Sequence, residues 1–374
     1  MEIPCCPNPK CTHFHNPDKD SWYVKYGTYR SRAFGTVHRY RCKACGMTFS
    51  SQTFSIDYYA KKRVSYVRLL QHLNSASGLG DISRFFNLRV ETLENRLERV
   101  ARVGLAIEAA LEQHLPCTEN MTADGFETFS YSQYYPCHVN TFVGSDSEYV
   151  YTMGFSNLRR KGRMTSKQKA RRTELENQGK ASPTAIQKSF RICTDKILQL
   201  IKSKEVSTSA EKSILYTDEH KAYPLAFRKL DGFEEAFDHV QISSKKPRTV
   251  YNNLFPSNYF HRFLRMDLSD HTRETLQWAK CPSALMARME AFRFAYNCFN
   301  PRRVKASRAG DWTTHAEAAG ISRAILSDTI NEFWGKRPFL GKTNLSEDEV
   351  KTWTCQWTNP GRSVGRRIPN YIFL

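Results

Sequence analysis

Ser213-Ile-Leu-Tyr-Thr-Asp-Glu-His-Lys-Ala-Tyr-Pro224 is a short apolar strand signal that stops on a carboxylate, Asp218, and passes into turn and helix residues. A carboxylate at a strand's exit sits where backbone pairing ends and a cation can approach. Upstream, Met121-Thr-Ala-Asp-Gly-Phe-Glu-Thr-Phe129 reads as another strand and carries Asp124. Two separated strands that each deliver one hard oxygen ligand are what a two-metal phosphoryl-transfer site requires. Glu127 is out of phase with Asp124 on the same strand and is expected to face away from it.

The surrounding chain has 374 residues and a formal charge of +19. That length allows two or three domains with a sizeable core. The excess of Lys and Arg favours a polyanionic partner, because each phosphate contact releases counterions; double-stranded DNA is the expected one. No apolar run approaches the roughly 20 residues of a membrane span, and Met-Glu-Ile-Pro-Cys-Cys is not a secretory signal. A cytoplasmic, nucleoid-associated protein with no membrane partner is expected. Five of the eleven cysteines fall within the first 45 residues, which in a reducing compartment points to metal rather than disulfides.

Residues 1–55 read as a zinc ribbon. Cys6-Pro-Asn-Pro-Lys-Cys11 and Cys42-Lys-Ala-Cys45 are two knuckles able to close one tetrahedral zinc. Cys5 is an alternative to Cys6, and His13 or His15 to one of the other thiols. So short a segment needs the metal to fold. Arg39-Tyr40-Arg41 sets cations beside an aromatic, a combination suited to phosphates and bases.

Residues 56–116 read as an all-α helix-turn-helix segment: an apolar stripe through Val64, Val67, Leu70 and Leu73, a short helix at Asp81–Phe86, a turn at Asn87-Leu-Arg89, and a long helix from Val90 to Gln113. If this segment enters a groove, Arg89, Asn95 and Arg96 head the recognition helix. Residues 117–300 change to strands at Met121–Phe129, His138–Val143 and Tyr149–Phe155. The nine Lys and Arg against two Glu in 156–182 read as a basic loop, in which Arg159, Arg160 and Lys161 could hold a DNA strand. An amphipathic helix at Pro183–Lys204, the Asp218 strand, a strand at Ala236–Ile242 and a long helix from about Ser257 complete an α/β layer. Beyond Trp334, Gly, Pro and basic residues suggest that 301–374 closes in a basic C-terminal extension.

Together, the ribbon that ends Arg-Tyr-Arg-Cys-Lys-Ala-Cys-Gly-Met-Thr-Phe, the helix-turn-helix pattern and the strand-end acids at 124 and 218 resemble the DDE-type transposases of bacterial insertion sequences. The resemblance implies a catalytic core with the ribonuclease H fold, catalytic Mg2+ beside structural Zn2+, and homo-oligomers on the DNA ends of a mobile element. It also implies a third acid on the helix after the fifth core strand, commonly in Asn-x-x-Glu-Arg. This chain has Asn258-Tyr-Phe-His261-Arg262, with His261 in the acid's place. At about 100° per residue, Asp267, His271 and Glu274 share a stripe of that helix. Glu274 is expected first as the third acid, Asp267 second and His261 third, because imidazole suits softer metals than magnesium. A DNA-binding regulator that has lost its chemistry, or a metal-dependent nuclease that does not join strands, are the other functions this pattern allows.

Overall fold

The computed structural model describes residues 3–17, 22–204, 212–228, 230–272, 277–363 and 368–374. The N-terminal unit is a three-stranded antiparallel sheet, β1 (Tyr23–Ser31), β2 (Gly35–Cys42) and β3 (Thr48–Ser50), in that order. It packs Phe14, Trp22, Phe49 and Phe54 around the buried cysteines, with Phe339 from the far end of the chain completing the cluster.

Three helices follow. α1 (Tyr66–Leu73) starts where the Ser65 side chain accepts from the Arg68 amide, as an N-cap should. α2 (Leu79–Phe86) stops because Asn87 adopts the left-handed conformation, φ 48°, which Asn tolerates better than most residues. α3 (Val90–Leu111) is longer than a recognition helix needs. Its second half is buried on all sides, and Gly104 lets it approach the helix Pro282–Cys298 so closely that a Cβ there would lie 2.8 Å from Phe294 Cβ.

The core is a five-stranded mixed sheet of β4 (Met121–Phe129), β5 (Pro136–Gly144), β6 (Val150–Asn157), β7 (Ser213–Asp218) and β8 (Phe237–Ile242), in the order β6-β5-β4-β7-β8. The first three strands form an antiparallel meander, while β7 and β8 run parallel to β4. α4 (Ser166–Gln178) lies between β6 and α5 (Ala185–Lys202), and α6 (Phe255–Asp267) and α7 (Pro282–Cys298) come after the sheet. Alternation along each strand sends Met121, Ala123, Phe142 and Leu215 into a cluster with Phe190 and Ile197 of α5 and with α3. The opposite face packs Phe126, Val139 and Met153 against Phe260 and Leu264 of α6 and Phe292 of α7. The first of these clusters also takes in α1 and α2, so the helical segment and the sheet share one core.

Two expectations change, and a third gains detail. The basic stretch contains a helix rather than a loop throughout. α4 has no buried residue, so it shows no apolar period, and a capping box between Thr165 and Gln168 starts it. The helix carrying Asp267 ends at that residue, so His271 is not on it. The described part of the basic C-terminal extension is anchored to the core. Trp353 is 1% exposed, Arg102 of α3 donates from Nε to its carbonyl at 2.9 Å, and α8 (Arg323–Phe333) and α9 (Glu347–Trp353) both pack on α3. No described helix is long and apolar enough to cross a membrane.

Candidate functional site

Register brings the two strand acids together. β4 and β7 pair in parallel with Ala123 opposite Thr217, so the next residues, Asp124 and Asp218, stand side by side on strands about 4.8 Å apart. The pairing goes no further. β4 therefore continues past the end of β7 with one side open, and the opening is a cavity of about 550 Å³ lined by Asp124, Glu127, Asp218, His138, His261 and the cations Lys246, Arg248, Arg262 and Arg265. Glu127 is out of phase with Asp124, opposite His138 rather than Thr141, yet it lines the same cavity because the space wraps round this free strand end. The basic rim was missed by sequence reasoning, although Ser243-Ser-Lys-Lys-Pro-Arg248, directly after β8, is a visible basic run.

Several bonds fix the floor. Asp124 Oδ1 accepts from the Gly125 amide at 2.7 Å, and Asp218 Oδ1 accepts from the His220 amide at 2.9 Å. Thr122 and Ser257 hydroxyls meet at 2.6 Å, pinning α6 to β4. One turn later His261 reaches Thr141 Oγ1 through Nε2 at 2.8 Å and brings Nδ1 to 3.9 Å from Asp124 Oδ2. Burial raises the Asp124 pKa to about 6; the Gly125 amide and Arg248 oppose this, while the charges of Asp218 and Glu127 add to it. Burial, with Arg265 second, lowers the His261 pKa to about 3, so its imidazole is neutral. A half-buried acid whose pKa is raised beside a second carboxylate is the electrostatic pattern of a site that gains by taking up a cation.

The third-acid expectations fare differently. Glu274 lies outside the described residues. Asp267 is half-buried with its pKa raised to about 6 by burial, and it is not among the residues lining the cavity. Of the two described candidates, it is His261, ranked last, that the structure brings to Asp124.

The cysteines give the clearer metal geometry. Cys6, Cys11, Cys42 and Cys45 place their sulfurs within 4.8 Å of one another, with Cys6 to Cys45 at 3.6 Å and Cys11 to Cys42 at 3.7 Å. Thiolates about 2.3 Å from one tetrahedral zinc lie about 3.8 Å apart, so the four fit structural Zn2+. Cys5 is buried but stands outside the four, as do His13 and His15. Among the described residues no other group brings three or more donors this close.

The expected DNA contacts divide. Arg39 and Arg41 both lie over the Tyr26 ring, at 5.2 and 5.9 Å, on a hairpin whose outer strand is exposed almost throughout. Arg89 is exposed at the start of α3. Arg96 is turned inward, 3% exposed, and donates to the Lys62 carbonyl at 3.1 Å. Asn95 is committed to Arg99, accepting from its Nε at 3.0 Å. Arg159 forms a two-pronged pair with Glu176 at 2.7 and 2.9 Å, Arg160 lies over Tyr134 at 4.9 Å, and Lys161 is exposed. No protein-family profile and no curated protein matches the chain.

Proposed function

We propose that the protein is a DDE-type transposase that binds the ends of a mobile DNA element and cuts and joins strands with divalent cations. The observation that carries this reading is the register of β4 and β7, which sets Asp124 beside Asp218 in a cavity rimmed by Lys246, Arg248, Arg262 and Arg265. Carboxylates at the floor and cations at the rim suit a reaction in which a phosphodiester must approach two metal ions. Asp124 and Asp218 would hold the ions, which activate the attacking water or 3′-hydroxyl and stabilise the leaving oxygen. The rim would take the flanking phosphates. A sheet whose third, second, first, fourth and fifth strands lie in that order, with α6 following the fifth, supports a ribonuclease H-like core. The hairpin bearing Arg39 and Arg41, and Arg89 on α3, would bind duplex DNA outside the cavity, and a homo-oligomer would pair the two element ends.

The test is incubation of the zinc-loaded protein with Mg2+ or Mn2+ and labelled duplexes taken from the DNA flanking its own coding sequence. Joined products are expected, and Asp124→Asn and Asp218→Asn should each abolish them while DNA binding survives. Nicked products alone would make it a nuclease. Binding without any product would make it a regulator, and normal joining by Asp218→Asn would refute the DDE reading.

A further inference from the structure

A second cavity, of about 610 Å³, lies at the β6 edge of the sheet and shares no lining residue with the one at Asp124. Its walls are the end of β6, the start of α5, Asp348 on α9 and the segment from Trp357 to Ser363. Main chain fixes that last wall. Gly361 crosses the end of α4 so closely that a Cβ at Gly179 would lie 2.1 Å from Gly361 N, and one at Gly361 would lie 2.7 Å from the Gln178 carbonyl carbon. Asn157 Nδ2 donates to the Thr358 carbonyl at 3.0 Å and ties the same segment to β6. The cavity is therefore formed before any ligand arrives.

Its lining favours an anion. Lys180, Lys188, Lys351 and Arg362 face one acid, Asp348. Lys351 is spent on Glu347 and Asp348, at 2.6 and 3.6 Å. Asp348 is 3% exposed and takes the Ser189 hydroxyl at 3.4 Å. Lys180, Lys188 and Arg362 remain, all exposed. Asn359 adds a donor: it is 4% exposed and lines the cavity, its Oδ1 accepts from the Ser130 hydroxyl at 2.9 Å, and the described residues give its Nδ2 no acceptor. A nearly buried donor left unpaired costs stability until something fills it. An amide N–H among cations is complementary to a phosphate oxygen.

We propose that this cavity is a second nucleic-acid site that takes the phosphate backbone of a single strand, with Asn359 Nδ2 donating to a phosphate oxygen and Lys180, Lys188 and Arg362 neutralising its charge. A duplex, whose major groove alone is about 12 Å wide, does not fit into 610 Å³. A single strand does, and its bases can turn to an aromatic wall, here the half-buried Trp357, whose Nε1 is held by Thr352 Oγ1 at 2.8 Å. Exposed Lys167 and Lys169 on α4 continue the charge beyond the cavity. This rests on nucleic acid being the partner in the reading above and is independent of the chemistry at Asp124.

The test is fluorescence anisotropy of the zinc-loaded full-length protein with a labelled oligothymidylate and with a duplex of equal length, at several salt concentrations. Lys180→Gln combined with Lys188→Gln should weaken the single strand about tenfold at low salt and flatten its salt slope by about 0.7 per lysine, while duplex affinity stays the same. Asn359→Asp keeps the oxygen that Ser130 needs and replaces the donor with an anionic oxygen, so it should weaken the strand as well. Thermal unfolding shows that each variant is folded, and the lysine pair, being exposed, decides alone if Asn359→Asp is not. Unchanged strand affinity and slope in the lysine variant would overturn the proposal, as would equal losses on strand and duplex. Displacement of the strand by inorganic phosphate or thymidine monophosphate at constant ionic strength would make this a small-anion site and overturn the strand assignment. Asp124→Asn should bind the strand like the parent protein; normal cutting by that variant would overturn the reading of the other cavity and leave this one standing.

Discussion

The His138 imidazole occupies the space a side chain at Gly125 would need: a Cβ there would lie 1.8 Å from His138 Cε1 and 2.1 Å from Nε2. The ring cannot easily yield, because Nε2 is held to Asn140 Oδ1 at 2.9 Å and Asn140 in turn donates to Ser189 Oγ at 3.1 Å. Burial, first among its influences, lowers the His138 pKa to about 4, so the ring packs as a neutral group. Gly125 is required here by close approach rather than by an unusual backbone angle. Gly125→Ala should cost about 1–3 kcal/mol by overpacking, and adding His138→Ala should remove most of that extra cost. Urea unfolding of the two single variants and the double one measures the coupling. Strict additivity would mean that the ring is not the obstacle.

The cysteine cluster makes a sharp distinction between neighbours. Cys5 and Cys6 are both buried, yet only Cys6 shares the four-sulfur arrangement. Elemental analysis of protein purified without chelator should give one zinc per chain. Cys45→Ala should lose it and Cys5→Ala should keep it. Since so small a unit depends on its metal, chelation should deprotect amides of β1 to β3 in hydrogen exchange before those of β4 to β6.

A buried ionic cluster ties the C-terminal helix to the core. Lys196 of α5 contacts Glu112 and Glu349 at 2.5 Å each, and Arg293 of α7 pairs with Glu108, Glu290 and Glu349. Four carboxyls thus face two cations, so retaining protons relieves the excess charge. Burial raises Glu108 to about 7 and Glu290 to about 8. Glu349 moves the other way, to about 2: Lys196 and then Arg293 outweigh its burial.

The signs follow by linkage. Between the ordinary glutamate value and about 8, the folded protein holds protons that the unfolded chain has released, so stability falls as pH rises across that window. Glu349 adds stability above the ordinary value that is lost as pH falls toward about 2. Glu290→Gln should flatten the decline between pH 5 and 8 in urea unfolding. Glu349→Gln should destabilise at every pH above 5, by about 1.5–3 kcal/mol, the worth of a hydrogen bond to a charged group, because Lys196 keeps Glu112 and Arg293 keeps Glu108 and Glu290.

The strands and the pair of acids were legible because a half-buried strand writes its phase into the sequence, and Met121–Phe129 and the Asp218 strand end where the periodicity does. α5 was legible for the same reason, through Phe190, Cys193 and Ile197 on one face. α4 was not, since a helix that buries nothing has no period to display. The cavity's cations come from the segment after β8 and from α6, and only the tertiary fold brings those together. Arg96 misled because a charged residue is by default solvated, whereas here it is buried and donates to a partner distant in sequence, the Lys62 carbonyl. The C-terminal segment read only as a basic extension for want of long apolar runs. Its anchoring uses a few large groups instead, above all Trp353 and the carboxylate of Glu349.

The difference between Arg89 and Arg96 gives the helix-turn-helix expectation a cleaner test than either residue alone. Arg89 is exposed ahead of α3, while Arg96, two turns along, spends its guanidinium on the Lys62 carbonyl. If the start of α3 meets DNA, Arg89→Ala should weaken binding to the element end by about 1–3 kcal/mol and leave binding to random duplex less affected. Arg96→Ala should leave the affinity of the folded protein unchanged and lower its stability, because the packing of a buried side chain and its bond to the Lys62 carbonyl are lost. Replacing Arg39 and Arg41 together should weaken all sequences alike and reduce the salt dependence of binding, as lost phosphate contacts do. Fluorescence anisotropy at several salt concentrations, paired with thermal unfolding of each variant, reads both quantities. Equal losses on specific and random DNA from Arg89→Ala would show that α3 contacts only the backbone, and a DNA defect in fully stable Arg96→Ala would show that its side chain leaves the core when DNA binds.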